Sequence, residues 1–346
     1  MGLLTENTDF FGLDIGTSSI RLVQLKGTGG VRSLVKYALA PIDTKIALSD
    51  APADQQKLAA VIKDLINQAK PSTRNVAVGL PTNKVFTTIV DIDKLSAGEL
   101  AKTIEPQADT LIPTPIDESK IDWSVLGPSP VDPNKVEVLL ASIPNEYIEK
   151  RLDMLEGLDL NVVAFEPDSL AMARGVIPAD VTTPILTVDM GNLSTDIVIT
   201  YGGGPRLIRS IPTGTDAIIK SAIQNLNIDE KQAEQFVYKF GLSKDKLEGQ
   251  INNAIIGTVD VLVSEIEKSI KYYQSRYPDV PLDRIIVIGG ASVLPEFPLY
   301  LANKFAINVE IGNSWCNVAF PSSKQNELLA VSNHFAVAAG LAERNP

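Results

Sequence analysis

A strand-like run that ends in aspartate, one apolar residue, glycine and a group of hydroxyls, followed by a second strand-like run, occurs twice in this chain. The first copy is FGLDIGTSSIRLVQL (11–25) and the second is LTVDMGNLSTDIV (186–198). No other feature constrains the fold as much. The 346 residues are enough for two or more domains, and the second half restarts the β theme of the first. Either copy alone reads as a plain hairpin around a tight glycine turn. Two with matching grammar read as paired turns built to hold a ligand. Gly16 lets backbone N–H groups approach a phosphate, Thr17, Ser18 and Ser19 add hydroxyl donors, and Arg21 follows with a cation. Asp14 beside phosphates requires a divalent cation between them, Mg²⁺ held through water. Gly191, Ser194 and Thr195 repeat the donors after Asp189.

Between and beyond the two turns, apolar spacing sets the other elements. FFGLDIG, IRLVQLKG and VRSLVKYALAPI predict a three-strand meander with a break at Gly29 and Gly30. Leu58, Val61, Ile62, Leu65 and Ile66 form a helical stripe over 53–69, ended by Pro71. NVAVGLP (75–81) is a buried strand, and it opens a segment of different texture that runs to about 150. There, KVFTTIVDI, IDWSVLG and KVEVLLASIP alternate with helical stretches, as a small inserted α/β subdomain would. Residues 214–242 read as helical. Val259, Leu262, Ile266, Ile270, Tyr273 and Tyr277 share one face of a long helix over 257–277. A final helix spans about 327–343.

Two further stretches carry possible chemistry. In IIVIGGASVLPEF, Gly289 and Gly290 end a buried strand, and without side chains they would let a flat ring lie against the backbone; the same pair also suits a plain turn. In FEPDSLAMAR, Glu166 precedes Pro167 at a helix start. It reads either as an ordinary helix-terminal charge or as a carboxylate that orients a water on a γ-phosphate.

Composition removes several function classes. A net charge of −11 opposes non-specific nucleic-acid binding and adhesion to anionic lipid. Cys316 is the single cysteine, so no intrachain disulfide forms and a reducing compartment fits; His334 is the single histidine, so no multi-histidine metal site forms. Packing accounts for both residues, Cys316 in a loop and His334 on the terminal helix. The N-terminus lacks the features of a signal peptide, and no uncharged apolar run nears the ~18 residues of a membrane span. The expectation is a cytoplasmic protein.

In order, FGLDIGTSSIRLVQL, FEPDSLAMAR, LTVDMGNLSTDIV, IIVIGGASVLPEF and NHFAVAAGLA resemble the phosphate 1, connect 1, phosphate 2, adenosine and connect 2 signatures of the actin-like ATPase superfamily. They cover nearly the whole chain. Within that superfamily the chain most resembles the PilM family of type IV pilus assembly, through the MGLL start, DIGTSSIRLVQL, an insertion containing ADTLIPTPIDES, and IPTGTDAIIKSAIQNLNIDEKQAEQF. The resemblance implies an α/β actin-like ATPase fold, with two domains around a nucleotide cleft and a subdomain 1C in place of 1B. It divides the chain into 1A (9–74, 151–182 and 321–346), 1C (75–150), 2A (183–213 and 257–320) and 2B (214–256). It implies ATP and Mg²⁺, with Asp14 and Asp189 on the metal side. Gly16, Thr17, Ser18, Arg21, Gly191 and Thr195 would meet the phosphates. Gly214 opens the 2B region, Glu234 would meet the ribose or adenine, Gly289 and Gly290 would border the adenine, and Glu166 would orient the water. Two departures are Asn192 and Leu193, where hydrolysing relatives carry smaller residues, and Val237, where a lysine is frequent, with Lys239 nearby.

The implied role is a cytoplasmic ATP-binding scaffold with weak or no ATPase activity. It would hold the N-terminal cytoplasmic tail of a PilN-like bitopic membrane protein in a groove between 1A and 1C, and would be peripheral to the inner membrane through that partner. Other pilus platform proteins, an assembly ATPase and further copies of the chain are also implied as contacts; nucleic acid is not. The alternative is a protein like the cell-division protein FtsA, which links filaments to the membrane; such proteins end in an amphipathic helix, whereas this sequence ends in GLAERNP directly after connect 2. A sugar kinase of the same superfamily is a third reading, for which no sugar-binding constellation stands out.

Overall fold

The structure, a computed structural model, describes residues 9–27 and 31–345. The MGLL start and the expected break at Gly29 and Gly30 lie outside the described residues. The chain opens with the expected antiparallel meander of β1 (Phe11–Ile15), β2 (Ser19–Lys26) and β3 (Arg32–Pro41). The short α1 (Thr44–Leu48) is capped by the Asp43 carboxylate, which accepts from the Lys45 N–H at 2.7 Å. α2 (Pro52–Ala69) starts on a proline, where no N–H is missed, and buries Leu58, Ile62, Leu65 and Ile66. Lys70 ends it in the left-handed region at φ 50°, just ahead of Pro71.

Next come β4 (Asn75–Leu80), β5 (Phe86–Asp93), α3 (Ala97–Leu111), β6 (Ser119–Pro128), β7 (Lys135–Pro144), α4 (Asn145–Glu156), β8 (Asn161–Pro167) and α5 (Asp168–Val176). The second half holds β9 (Ile185–Met190), β10 (Thr195–Tyr201), β11 (Gly204–Ile211), α6 (Thr215–Leu226), α7 (Glu230–Phe240) and α8 (Gln250–Arg276). It continues with β12 (Arg284–Gly289), α9 (Gly290–Val293), α10 (Phe297–Phe305), β13 (Asn308–Ile311), β14 (Val318–Ala319), α11 (Gln325–Val331) and α12 (Ala336–Ala342). The chain divides into one compact unit of residues 1–81, 147–180 and 313–346 and another of 82–146 and 181–312.

The first unit is built on a sheet ordered β14-β3-β2-β1-β4-β8. One face, carrying Phe11, Leu13, Ile20 and Leu22, packs on α2. On the other face a Cβ at Gly12 would reach within 2.8 Å of the Ala342 nitrogen, so glycine is what lets α12 lie on the strand. α12 also crosses α5 backbone to backbone: a Cβ on Gly340 would overlap the Ala171 carbonyl, and one on Gly175 would overlap that of Ala336. The small residues of AMARG and AVAAG are therefore a packing requirement. The terminal helix expected over 327–343 is broken between α11 and α12. Ser332 keeps helical backbone angles, and the path departs at Phe335, φ −107° and ψ 7°; the turn between is tied to the 313–314 segment, where the Ser332 hydroxyl accepts from the Ser314 N–H at 2.8 Å and donates to Asn313 Oδ1 at 3.0 Å, and its carbonyl accepts from the Ser314 hydroxyl at 2.5 Å. His334 lies in this break and not on the helix.

The second unit repeats the plan. Its sheet runs β11-β10-β9-β12-β13, an antiparallel meander flanked by two parallel strands, the same order as β3-β2-β1-β4-β8. α8 covers it with Val259, Leu262, Ile266, Ile270 and Tyr273. The helix begins at Gln250, not at 257, because Gly257 sits on its exposed side with no neighbouring atoms and interrupts nothing. Glycine inside a helix costs about 1 kcal/mol, which a helix this well packed absorbs.

The insertion forms a separate sheet, β5-β7-β6, within the second unit. One face packs Ile92, Val138 and Leu140 against Leu100, Ile104 and Ala108 of α3. The other carries Asp91 and Glu137, which hold the end of α8. Glu137 Oε1 accepts from Arg276 Nε at 2.8 Å and from the Tyr277 hydroxyl at 2.5 Å, and Asp91 accepts from Arg276 at 2.8 Å. β4, which the sequence placed at the start of the insertion, lies between β1 and β8 in the six-stranded sheet; the second unit starts at Thr82. Its apolar run, NVAVGL, is that of a strand covered on both faces.

Candidate functional site

The turn after β1 is shaped by charge. Asp14 and Arg21 face each other across the β1–β2 register, and Arg21 Nη1 donates to Asp14 Oδ2 at 2.8 Å. Both side chains are largely withdrawn from solvent, at 7% and 17% exposure, so each charge relies on the other. The Gly16 N–H donates to the Ser19 carbonyl at 3.1 Å and closes the loop. A Cβ on Gly16 would sit 2.9 Å from that carbonyl and 3.0 Å from Arg21 Nη1, so glycine keeps the guanidinium close to the backbone. Thr17 is half-buried and Ser18 exposed, with the Ser18 carbonyl accepting from the Ile42 N–H at 3.0 Å. Asp14, Gly16, Thr17, Ser18 and Arg21 thus come together in one turn.

Asp168, which the sequence reading passed over, joins this end of the sheet. Leu13 pairs with Val78, so Gly79 follows beside Asp14, and a Cβ on Gly79 would overlap Asp168 Oδ1. The signal was available in the acid directly after Glu166-Pro167 and in the glycine near the end of β4. Glu166 itself, buried at 5% exposure, is bound by Arg174. Arg174 Nη1 donates to Oε2 at 3.0 Å, Nη2 donates to Oε1, and Arg344 lies 3.7 Å from Oε2. Arg174 also donates to the Gly340 carbonyl at 2.8 Å, so this carboxylate ties β8, α5 and α12 together.

The turn after β9 is shaped by backbone contact. The Gly191 N–H donates to the Ser194 carbonyl at 2.8 Å, the counterpart of Gly16 and Ser19. The start of α6 lies on this turn: Thr215 N–H donates to the Gly191 carbonyl at 3.0 Å and Asp216 N–H to the Asn192 carbonyl at 2.9 Å. A Cβ on Gly214 would overlap the Asn192 carbonyl and come within 2.6 Å of the Gly191 oxygen. Gly289, at φ 59°, occupies the left-handed half of backbone space, and a Cβ there would overlap Asp189 Oδ1. A Cβ on Gly290 would overlap the Thr215 side chain. The turn at Gly191, the helix start at Gly214 and the diglycine at Gly289–Gly290, read separately from the sequence, therefore converge with Asp189 on one spot.

Two residues stand apart from that convergence. The Thr195 hydroxyl is fully buried and donates to the Thr213 carbonyl at 2.7 Å, which anchors the strand leading to α6. Glu234 is exposed on α7, while Val237, at the position where lysine was noted as frequent, is buried in the core. Lys239 sits over the Phe240 ring at 5.4 Å. Just past the end of α7, the Leu242 N–H donates to the Pro295 carbonyl at 3.0 Å, in the segment that follows the diglycine. Asp196, opposite Asp189 in the β9–β10 register, is pushed up in pKa by burial, against the Ser210 hydroxyl, which donates to its Oδ1 at 2.5 Å and lowers it. Among the described residues there is no cluster of three or more histidine, cysteine or carboxylate side chains able to hold a metal alone, and no helix is long and apolar enough to cross a membrane.

A family profile described as type IV pilus assembly protein PilM matches residues 12–345. Among solved structures, a PilM–PilN type IV pilus biogenesis complex is similar at a TM-score of 0.83 and 24% identity, over 98% of this chain and 99% of that one. The ethanolamine utilization protein EutJ of Carboxydothermus hydrogenoformans follows at TM-score 0.57 and 15% identity, over 96% and 88% of the two chains. MreB 5 of Spiroplasma citri, solved bound to AMPPNP, matches at 0.56 and 13%, over 97% and 95%. The mixed α/β architecture, with its duplicated sheet order, is that of the actin-like ATPase fold.

Proposed function

This chain belongs to the PilM family of type IV pilus assembly proteins, and we propose that it works there as a cytoplasmic ATP-binding scaffold for the tail of a PilN-like membrane protein. The observation that carries the nucleotide half is the convergence of Gly214, Gly289 and Gly290 on the turn of Asp189 to Asn192, where the backbones approach so closely that a Cβ on any of the three would overlap its neighbours. Such a bare backbone suits a phosphate chain and a flat base. In this reading Gly16, Thr17, Ser18 and Arg21 of one unit and Gly191 and Thr195 of the other serve the phosphates. Asp14 and Asp189 serve Mg²⁺, and Glu234 the ribose or adenine. Thr195 would act through the backbone it anchors. Magnesium, when bound, offsets the charge of the polyphosphate.

Glu166 is the proposed water-orienting acid, and its partnership with Arg174 limits it. A carboxylate engaged by a guanidinium on both oxygens is committed to that partner and takes up a water only when it lets go. The proposal is therefore of ATP occupancy that biases conformation, with slow turnover, and not of a fast ATPase. The partner half of the reading rests on family membership and on likeness to the PilM–PilN complex along 98% of the chain. An extended tail in a groove between subdomains 1A and 1C would use main-chain hydrogen bonds and apolar pockets, and would recruit the protein to the inner membrane. Isothermal titration with a synthetic PilN-tail peptide, with and without Mg-ATP, tests it. Saturable binding that shifts with Mg-ATP is expected, and absence of heat in both titrations rejects the reading.

A further inference from the structure

The chain enters the inserted sheet β5-β7-β6 from the first unit and returns there, yet the sheet groups with the second unit. A cluster of charges ties it there. Arg206 of β11, with Arg276 and Tyr277 at the end of α8, reaches all three of its strands. On β7, Glu137 is 1% exposed and accepts from Arg276 Nε at 2.8 Å, from Arg276 Nη2 at 2.7 Å and from the Tyr277 hydroxyl at 2.5 Å. On β5, Asp91 accepts from the same Nη2 at 2.8 Å. On β6, the Leu126 carbonyl accepts from Arg206 Nη2 at 3.1 Å. That carbonyl is available because Leu126 is the extra residue of a β-bulge, between Val125, paired with Val138, and Gly127, paired with Glu137. Glu137 Oε2 also lies 3.5 Å from Arg206 Nε, so both arginines converge on one buried carboxylate.

The holding groups are rooted in the core of the second unit. The Tyr277 ring stacks on that of Tyr273 at 4.9 Å between centroids, and both belong to the apolar cluster of Leu186 and Val188 of β9. The apolar core of the insertion is a separate cluster, and beside the charges the seam is unfilled. A cavity of about 420 Å³ opens among Thr87, Ile89 and Leu139 of the insertion, Leu207 and Arg209 of β11 and Tyr272 of α8. The connection is therefore made by charge more than by close packing. Charges withdrawn from water are tolerated only while paired, so the insertion cannot leave α8 without stranding Arg276 and Glu137. We infer that this clasp fastens the insertion to the second unit as one body, and that it is the link by which bound ATP would alter the grip on a tail lying against the insertion. The link to ATP rests on the proposed nucleotide and tail binding, whereas the fastening does not. The turn at Gly191 ends β9 in the sheet that α8 covers, so a nucleotide seated there acts on the body that carries the insertion.

The test uses the full chain carrying Cys316→Ser and nitroxide labels on two introduced cysteines, read by double electron–electron resonance. Lys120→Cys on β6 and Lys231→Cys on α7, both exposed, report the insertion against the rest of the second unit. Asp91→Asn with Arg276→Met removes one anion and one cation and leaves Glu137 to Arg206 and Tyr277, so no buried charge is stranded. The parent should give one narrow distance distribution, the same with and without Mg-AMPPNP. The variant should give a distribution roughly twice as wide, with hydrogen exchange at β9 and β12 as in the parent. A broad distribution in the parent, a variant as narrow as the parent, or loss of protection at β9 and β12 would each overturn the fastening. The link to ATP is read by titrating the PilN-tail peptide with and without Mg-ATP, while a fluorescent ATP analogue reports occupancy. Peptide affinity should differ roughly fivefold between the two conditions in the parent and be equal in the variant, which should bind the analogue as the parent does. A variant that binds the analogue and keeps the parental difference overturns the link alone. A parent that binds no nucleotide or no peptide rejects the proposed function and the link with it, while the distances still decide the fastening.

Discussion

The two turns that begin the two halves share a register and a loop-closing hydrogen bond, yet they are held by different physics. At the first, Asp14 and Arg21 neutralise each other beside Gly16, and a network of charges (Glu166, Arg174, Arg344) stands at the end of the neighbouring β8. At the second, Gly214 packs on the backbone of Gly191 and Asn192, while Gly289 and Gly290 pack on Asp189, Met190 and Thr215. A duplicated fold thus keeps its topology while one copy is organised by charge and the other by close packing. A turn held by two side chains depends on their mutual neutralisation, whereas one held by close backbone approach depends on the absence of Cβ atoms.

Adding one methyl group to each turn is the most severe way to break that comparison. Gly214→Ala places a Cβ into the Asn192 carbonyl, where only backbone movement relieves the overlap, and should cost about 3–5 kcal/mol. Gly16→Ala meets the Ser19 carbonyl at 2.9 Å and the mobile end of Arg21 at 3.0 Å. That change should cost about 1–2 kcal/mol, because the overlap with the carbonyl is slight and the guanidinium can give way. Urea unfolding midpoints of the two variants check the difference. Equal shifts would mean that the turns are packed alike.

Charge removal should reverse the ranking of the turns. Arg21→Met leaves Asp14, 5% exposed, without its cation, at about 2–3 kcal/mol. The matching polar deletion at the second turn, Thr195→Val, loses one hydrogen bond to the Thr213 carbonyl and about 1 kcal/mol. Adding Asp14→Asn to Arg21→Met should restore more than half of the loss, since the cost lies in the orphaned carboxylate. A double-mutant cycle by urea denaturation measures this, and additive losses would show that the pair contributes nothing as a pair.

Much of this was legible in the sequence where the signal was local. The repeated Asp-x-Gly turns, the meander, the α2 stripe and the diglycine all occur where their residues indicate, because strand alternation and glycine spacing are short-range properties. Longer-range causes were hidden. Nothing near Ser332 announces that Asn313 and Ser314 will bind the turn between α11 and α12, and nothing near Asp91 and Glu137 announces that they will grip Arg276 across a long stretch of sequence. β4 was grouped with the insertion because its covered strand resembles the strands after it; sheet pairing, which decides membership, leaves no trace in its own residues. At the site, Glu166 was legible as a carboxylate at a helix start. Its engagement by Arg174 was not, although the two are 8 residues apart, since one ends a strand and the other lies on the following helix and the same spacing would also leave both free.

A pH series probes the charged side of the comparison most gently. Glu343 follows α12, its Oε2 accepts from Asn317 at 3.2 Å, and burial pushes its carboxyl up to about 7, with Arg174 and Arg32 opposing the rise. A carboxyl raised on folding binds more protons in the native state than in the unfolded one over the interval between the two values. Stability from this group is therefore full below the unfolded value of 4.5 and declines as pH rises, with the loss complete above about 7. Glu343→Gln removes that decline while keeping an acceptor for Asn317. The variant should match the parent at pH 4 and exceed it at pH 8 by about 1–2 kcal/mol, less than the full shift would imply because the arginines and partial exposure screen the charge. Thermal or urea unfolding at the two pH values decides it. A variant that is less stable at pH 8 would mean that the Glu343 carboxylate is held by Arg32 and Arg174 as a working ion pair, and the charged network behind the first turn would then extend one residue further than burial alone allows.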